Sequence, residues 1–285
     1  MSGPALLDKV APGDHVCWIV DDDGVRDDAV AAFLLAGLRA RHKVVYSGDA
    51  PGRILDALRE RGADPAGPLR SGSLTVDTPQ ASYLASGVFD PEATVQRWQA
   101  EADLARHQGY LGLRVLGDMS WARREVPGSE RLGWYETHIN TVFTDGFVAG
   151  VCAYDRRLFD PLDLRRYTWS HPGTATTGMP YDPATSLRLR RTADGLTLSG
   201  EADRSNRTAL AVVVEHLCDR AGPGQDVVID VRDLRFADTA VARILVHAAT
   251  AAPGRVRLAG CSPSLRRLLA FTGAAETPRL IVEQQ

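Results

Sequence analysis

The sequence predicts an α/β protein in which a doubly wound, mainly parallel N-terminal sheet is followed by a smaller C-terminal α/β domain. Short apolar runs alternate with segments of helical spacing from residue 15 onward, which is typical of parallel strands joined by crossover helices. Residues 171–186 contain three prolines and two glycines, which predicts a break in this pattern. A chain of 285 residues is long enough for two domains of ordinary size. We therefore expect domains at 1–171 and 187–285, joined by a linker at 172–186.

In the first part, five apolar runs predict strands and five segments with helical spacing or start signals predict helices. The predicted strands are 15–20, 43–47, 73–76, 113–116 and 148–154. The predicted helices are 29–41, 53–61, 91–107, 129–143 and 161–169. Pro51 and Pro91 stand at helix starts, where proline is tolerated because the first turn does not use its missing N–H.

The carboxyl ends of these strands predict one common site, because open parallel sheets bind their ligands there. The segments that follow four of the strands are 21–23, 48–49, 117–121 and 154–155. They carry several aspartates, and Asp21–Asp23 can also cap the next helix.

The second part shows the same alternation on a smaller scale. Its predicted strands are 187–191, 195–200, 226–231, 255–259 and 279–282. Its predicted helices are 208–220, 240–251 and 262–271. Asp194 and Gly195 predict a hairpin turn between the first two strands. About 100 residues with this order suffice for an independent α/β domain.

Charge and hydropathy exclude several classes of protein. The 33 basic and 36 acidic residues give a net charge of −3, which disfavours direct binding to nucleic acid. No apolar run reaches the roughly 18 residues of a membrane span, and residues 1–15 lack the layout of a signal peptide. We therefore expect a cytoplasmic protein that makes no membrane contact. Nearly all basic residues are arginines, a GC-rich coding bias of the actinobacterial type that makes each arginine weak evidence of function.

The four cysteines are too widely spaced for a zinc-ribbon or redox motif. They are Cys17, Cys152, Cys218 and Cys261. In a cytoplasmic protein this spacing predicts buried thiols and not disulfides.

A recognisable motif lies in the second part. Residues 226–245 combine an apolar strand, a turn of the form Asp-Leu-x-x-x-x-Asp-Thr and a helix, and residues 256–260 and 262–273 continue the pattern. This order resembles the STAS family of anti-sigma factor antagonists over residues 187–283. The resemblance implies that the second domain binds an anti-sigma factor, a regulator of the serine-kinase type or another signalling protein, at Asp238 and Thr239.

In phosphorylated members of that family, a partner kinase modifies a hydroxyl in this turn, commonly at the position that Ala240 occupies here. Two interpretations remain. Thr239 is the phosphate acceptor, where the added charge would suit the helix N-terminus and repel an acidic partner. Alternatively, Thr239 is only the N-cap, and the partner is bound without phosphoregulation.

The first part resembles the MEDS domain, a sensory domain described in a dichloromethane-responsive regulator of methylotrophs. The matching segments are 13–23, 44–49, 113–122, 134–140 and 152–161. The family resembles RecA/KaiC-type ATPases, which implies a RecA/KaiC-like sheet. The loop 47–55 contains glycines but no Gly-Lys-Ser/Thr, and Asp49 would repel phosphate. We therefore expect no functional P-loop and no ATP hydrolysis.

Several candidate ligand-binding residues share faces of predicted elements. His15 and Cys17 are two apart on a strand, as are Cys152 and Tyr154, so each pair points to one side. Glu136 and Asn140 are four residues apart on one predicted helix, so they share a face. The candidate residues are His15, Cys17, Asp49, Asp118, Trp121, Glu136, Asn140, Cys152, Tyr154 and Asp155.

Three interpretations of these residues stay open: core cysteines with a hydrogen-bonded histidine, a pocket for a small organic ligand, and a metal or haem site. Histidine and cysteine are competent soft ligands. No compact ligand motif is present, so the sequence predicts no metal and no cofactor. No nucleophile with identifying context is present either, so no catalytic residue is predicted.

The leading hypothesis is a cytosolic signalling protein that acts in transcription regulation and is not an enzyme. The first domain senses a small molecule or redox state, and the second binds a regulatory protein. The linker is where we expect the interdomain arrangement to change. The alternative is a ligand-free scaffold with a degenerate ATPase-like domain. A homo-oligomer is compatible with both.

Overall fold

The computed structural model describes residues 6–284, and its first domain is built on a six-stranded parallel sheet. The strands are β1 (His15–Val20), β2 (Lys43–Ser47), β3 (Leu74–Asp77), β4 (Leu113–Asp118), β5 (Val148–Asp155) and β6 (Gly173–Thr176). Their order across the sheet is β3-β2-β4-β5-β1-β6. Residues 1–5, which belong to the segment without a signal-peptide layout, and residue 285 lie outside the described residues.

The helices of this domain cover both faces of the sheet, which is why β2, β4 and β5 are buried along their whole length. They are α1 (Asp23–Arg39), α2 (Pro51–Glu60), α3 (Ala66–Ser71), α4 (Pro91–His107), α5 (Leu132–His138), α6 (Asn140–Phe143) and α7 (Pro161–Trp169). Short 3₁₀ turns lie at Pro79–Ala81, Met119–Arg123 and Ser129–Arg131. Apolar residues on the two sides of the sheet form two separate cores.

The second domain has a mixed five-stranded sheet. Its strands are β7 (Arg188–Arg191), β8 (Gly195–Ala202), β9 (Val227–Ala237), β10 (Val256–Cys261) and β11 (Leu280–Gln284). Its helices are α8 (Arg207–Asp219), α9 (Thr239–Ala251) and α10 (Pro263–Phe271). The order is β11-β10-β9-β8-β7, and β7 and β8 form the predicted antiparallel hairpin. The predicted fold class is confirmed: α/β, with a parallel N-terminal sheet and a smaller C-terminal domain.

Several details differ from the sequence-based expectation, and strand β9 ends at Ala237, six residues beyond its predicted end. Helix α1 begins at Asp23, six residues earlier than predicted, because the side chain of Asp22 accepts from the backbone N–H of Val25 at 2.8 Å. Helix α3 was not predicted. The single helix predicted at 129–143 consists of a 3₁₀ turn, α5 and α6, and the side-chain amide of Asn140 donates to backbone carbonyls at the α5–α6 junction.

The predicted linker is partly a strand. Residues 173–176 form β6, which pairs with β1 at the edge of the sheet and satisfies its backbone groups. Gly173 is required here, because a Cβ would lie 2.5 Å from the ring of buried Tyr181. The N–H of Tyr181 donates to the carbonyl of Leu6 at 2.8 Å. This segment therefore packs as part of the first domain and does not form a free connection.

The two domains share a packed interface. Helix α8 lies against α5, α6 and α7. The buried carboxylate of Asp14 accepts a hydrogen bond of 3.0 Å from Arg188, and the backbone N–H of Arg191 donates to the carbonyl of Thr144 at 2.7 Å. Among the described residues, no helix has both the length and the apolar character needed to cross a membrane.

Candidate functional site

Four buried side chains from separate elements meet in the first domain and form what we call the His–Cys–Glu cluster. Its members are His15 on β1, Glu136 on α5, Cys152 on β5 and His171 two residues after α7. One donor atom from each lies within 4.8 Å of the other three. The cluster is held by the register of the sheet, in which β1 and β5 are parallel neighbours with Cys17 opposite Cys152.

Oxygen Oε2 of Glu136 is the common neighbour in the cluster. It lies 3.2 Å from Nε2 of His171, 3.7 Å from Nε2 of His15 and 3.4 Å from Sγ of Cys152. Nε2 of His15 also lies 3.4 Å from Sγ of Cys152. Four different donor atoms therefore point at one small volume.

Hydrogen bonds to the outer nitrogens fix the orientation of both imidazoles. The side-chain amide of Asn140 donates to three backbone carbonyls, the nearest being that of Ser170 at 2.8 Å, so its oxygen must accept from Nδ1 of His15 at 2.9 Å. Nδ1 of His171 donates to the carbonyl of Tyr167 at 2.7 Å. In neutral imidazoles, both Nε2 atoms therefore present lone pairs to the cluster.

Burial shifts the protonation of these groups. It lowers the pKa of His15 well below the usual value, and the neighbouring His171 adds to that effect. It raises the pKa of the Cys152 thiol, with the nearby Glu136 carboxylate as the second cause. Tyr154 donates its hydroxyl to the second oxygen of Glu136. His15, His171 and Glu136 are thus each held in place by a hydrogen bond to a residue outside the cluster.

A small apolar cavity of about 20 Å³ adjoins the cluster. That volume holds about one water-sized molecule. His15 and Cys152 form one wall, and the rest is apolar and aromatic, with Phe143 stacked on the His15 ring at 4.5 Å. Gly150 keeps this arrangement possible, because a Cβ there would lie 2.5 Å from the Phe143 ring.

The aspartates at the carboxyl ends of the strands form a group separate from the His–Cys–Glu cluster. Arg157 donates to both Asp23 and Asp155, which lowers the pKa of each carboxyl. Asp49 pairs with Arg124. Asp118 is buried, and its pKa is raised mainly by desolvation. Arginines therefore neutralise several of the strand-end carboxylates.

The structure thus divides the predicted site residues. It brings His15, Glu136, Asn140, Cys152 and Tyr154 together in or beside the cluster. It places the three candidate aspartates at the strand ends, and Trp121 against Tyr83 at 5.5 Å between ring centroids. Cys17 lies beside Thr168, with 3.9 Å between Sγ and Oγ1. Trp121 and Asp155 lie outside the cluster: Asp155 follows Tyr154 on β5 and therefore points to the opposite face of the sheet, and Trp121 lies in a 3₁₀ turn.

Sequence reasoning missed His171. It stands at the start of the proline-rich segment, and neither periodicity nor spacing relates it to His15 across 156 residues. Only the crossover of α7 back to the sheet places it there.

Comparison with known proteins agrees with this architecture. A family model described as MEDS, the methanogen/methylotroph, DcmR sensory domain, matches residues 14–172. The chain belongs to the MEDS family. A second model, described as Mlab, STAS domain, matches residues 185–283, so the MEDS domain precedes a STAS domain as expected. No curated protein matches the chain.

Two solved structures are similar to the chain at low identity. The flagellar accessory protein FlaH from Methanocaldococcus jannaschii is 10% identical, with a TM-score of 0.43, over 73% of this chain and 88% of its own. The KaiC-like protein PH0186 from Pyrococcus horikoshii OT3 is 10% identical, with a TM-score of 0.44, over 69% of this chain and 83% of its own.

The turn at the start of α9 is the second candidate site in this MEDS–STAS protein. Asp238 is the N-cap, because its carboxylate accepts from the N–H of Val241 at 2.9 Å. The interpretation of Thr239 as the N-cap is therefore wrong: Thr239 is the first helical residue, and it is exposed. Phe236 lies beside the turn and is 51% exposed. An exposed hydroxyl and an exposed aromatic ring therefore flank Asp238.

Proposed function

We propose that this chain is a signalling regulator in which the MEDS domain senses a small molecule or redox state and the STAS domain binds a regulatory protein. The MEDS and STAS domains support a regulatory role. We place sensing at the His–Cys–Glu cluster and protein binding at Phe236, Asp238 and Thr239.

One observation carries this proposal: the short helices that hold the cluster also contact the STAS domain. Glu136 on α5 and Asn140 on α6 face inward to the cluster. Thr141 and Thr144, on the same stretch of chain, line a small gap against α8 and β7. A displacement of the cluster side of α5 and α6 is therefore also a displacement at the interface.

The chemistry of the cluster suits a chemical signal. Histidine nitrogens and a thiol are soft donors, and the adjoining cavity admits a ligand of only a few atoms without rearrangement. A ligand bound at the cluster changes the signalling state only if its free energy of binding differs between the two arrangements of the domains. The change in domain arrangement would take place at the packed interface and not at a free linker.

The surface beside α9 suits a protein partner. Phe236 offers an exposed aromatic ring, a residue type enriched at protein–protein interfaces. Thr239 offers an accessible hydroxyl on the first turn of α9, where a phosphate would be favoured by the helix dipole. An anti-sigma factor or serine-kinase regulator fits both features.

We further propose that the protein acts in the cytoplasm and is not an enzyme. All four cysteines are free and buried, in keeping with a reducing compartment. The Cys152 thiol is a poor nucleophile, because burial raises its pKa and excludes substrates.

Titration with purified serine-kinase anti-sigma factors of the native host tests the proposal. We expect at least one to bind the full chain in calorimetry, and Phe236→Ala to weaken that binding tenfold or more. Leu162→Ala is the matched control, because Leu162 is 62% exposed but lies on α7 of the MEDS domain. Failure of every such protein to bind, with and without ATP, or equal weakening by both variants, would overturn the partner assignment.

The same titration with Cys152→Ser tests coupling to the sensor. We expect the affinity to change at least threefold. An unchanged affinity would favour the ligand-free scaffold instead.

A further inference from the structure

We propose that the His–Cys–Glu cluster binds one Zn²⁺ ion through Nε2 of each histidine, Sγ of Cys152 and one oxygen of Glu136. This is the cluster at which we place sensing, but the evidence for the metal is the geometry of the cluster alone.

The distances between donors match a tetrahedral zinc site. Zn–N and Zn–O bonds of about 2.0–2.1 Å and a Zn–S bond of about 2.3 Å give tetrahedral edges of about 3.4 Å between N and O and about 3.6 Å between N and S. Of the six donor–donor distances, four run from 3.2 to 3.7 Å, and all six are within 4.8 Å. A single ion at the centre would therefore reach all four donors with small side-chain adjustments.

The orientation of the donors points to a cation. Both imidazoles spend their N–H groups on outer partners, the Asn140 amide oxygen and the Tyr167 carbonyl, and turn their Nε2 lone pairs inward. Nε2 of His171 is fully buried and makes no aligned hydrogen bond, although Oε2 of Glu136 lies 3.2 Å away. Lone pairs from two nitrogens, a sulfur and a carboxylate repel one another unless an electrophile lies among them.

The hydrogen bonds around the donors are those of a metal site's outer shell. Ligating histidines typically donate their other N–H to a carbonyl or carboxylate, which fixes the tautomer. Here both do so, and Tyr154 donates to Oε1 of Glu136, whereas Oε2 contacts the other three donors. Glu136 is thereby held as a monodentate ligand.

Charge balance favours a divalent ion. All four side chains are buried, and one thiolate with one carboxylate carries two negative charges. A doubly charged cation neutralises them, whereas an unpaired carboxylate in this interior would be costly. Zinc binds sulfur, nitrogen and carboxylate oxygen, whereas magnesium and calcium take oxygen ligands, so this mixed set favours zinc.

Metal analysis of the purified full chain tests the proposal. Because the donors are buried, the ion enters during folding, so the protein is expressed in minimal medium with zinc or with cobalt as a spectroscopic substitute. We expect close to one metal ion per chain. The cobalt form should show the visible bands of tetrahedral Co²⁺ and a thiolate charge-transfer band in the near ultraviolet.

Two near-isosteric variants and a matched control assign the ligands. Cys152→Ser should lose the charge-transfer band, and Glu136→Gln should lower the metal content at least threefold. Cys17→Ser, which removes the opposite buried thiol on β1, should leave both unchanged. Circular dichroism shows whether each variant folds.

Three results would overturn the assignment: less than 0.1 metal ion per folded chain, a charge-transfer band that survives Cys152→Ser, or loss of the band in Cys17→Ser alone. A metal content that low would mean that a proton shared among the four side chains, and not a metal ion, holds the cluster together. These readouts do not involve partner binding, so the zinc site and the proposed signalling function can fail independently.

Discussion

Asn140→Ala gives the strongest test of how the cluster is held, because one side chain organises three elements. It accepts from His15 on β1 and donates to the carbonyl of Ser170 after α7, while it stands at the start of α6. The substitution leaves the N–H of His15 and the carbonyl of Ser170 buried without these partners. Each unsatisfied group costs roughly 1–3 kcal/mol, so we expect the MEDS domain to lose about 2–6 kcal/mol of its free energy of unfolding.

Urea denaturation followed by tryptophan fluorescence measures this loss in the right domain. All five tryptophans lie between residues 18 and 169, so the signal reports mainly the MEDS domain, and Trp169, which lies under Arg204 and Arg207, also reports the interface with the STAS domain. With an m-value of about 2 kcal/mol per M, the midpoint should fall by roughly 1–3 M.

Gln99→Ala, at an exposed position whose side chain makes one hydrogen bond of 3.4 Å, is the control and should shift the midpoint by less than about 0.3 M. A similarly small shift for Asn140→Ala would refute the reasoning, because it would show that water or a rearrangement satisfies both groups.

Three further substitutions test other contacts. Gly150→Ala should destabilise the MEDS domain by about 1–3 kcal/mol in the same urea assay, since its Cβ would clash with the Phe143 ring. Gly133→Ala on α5 is the control: its Cβ would have open space, so this variant should be neutral or stabilising by up to about 1 kcal/mol. Equal effects of the two substitutions would contradict the packing at Gly150. Asp238→Ala should lower the stability of the STAS domain by about 1 kcal/mol in far-ultraviolet circular dichroism, and Asp238→Asn should keep most of it; a loss of the same size in both would show that the cap is not responsible. Arg188→Ala leaves the buried carboxylate of Asp14 without its ion-pair partner at the interface, so it should cost about 1–3 kcal/mol and separate the unfolding transitions of the two domains. Arg188→Lys should have a smaller effect. Coincident transitions in both variants would argue against this ion pair as an interdomain link.

Much of the fold follows from local sequence. The bounds of β1, β2 and α4 agree with the predicted ranges to the residue, since these elements are short apolar runs or are bounded by a cap and a proline. β6 could not be predicted in this way. It is a four-residue edge strand of small residues whose pairing with β1 is decided by tertiary contacts.

The candidate site was predictable only in part. Spacing of two on a strand placed His15 and Cys17 on one side, and spacing of four on a helix related Glu136 to Asn140. No local pattern shows that β1 and β5 are neighbours, and the fourth cluster residue, His171, comes from a segment with no periodic signal. Local pattern therefore identifies which side chains share a face, but the crossover topology decides which faces meet.

Hydrogen exchange of α8 tests the central claim of this account, that the state of the cluster reaches the STAS domain. Cys152→Ser alters one cluster donor, whereas Cys17→Ser alters the opposite thiol and serves as control. We expect the amides of Arg207–Asp219 and of the turn at Asp238 to change their exchange rates at least threefold in Cys152→Ser and not in Cys17→Ser. Changed exchange in α5 and α6 with unchanged exchange throughout α8 would contradict the account.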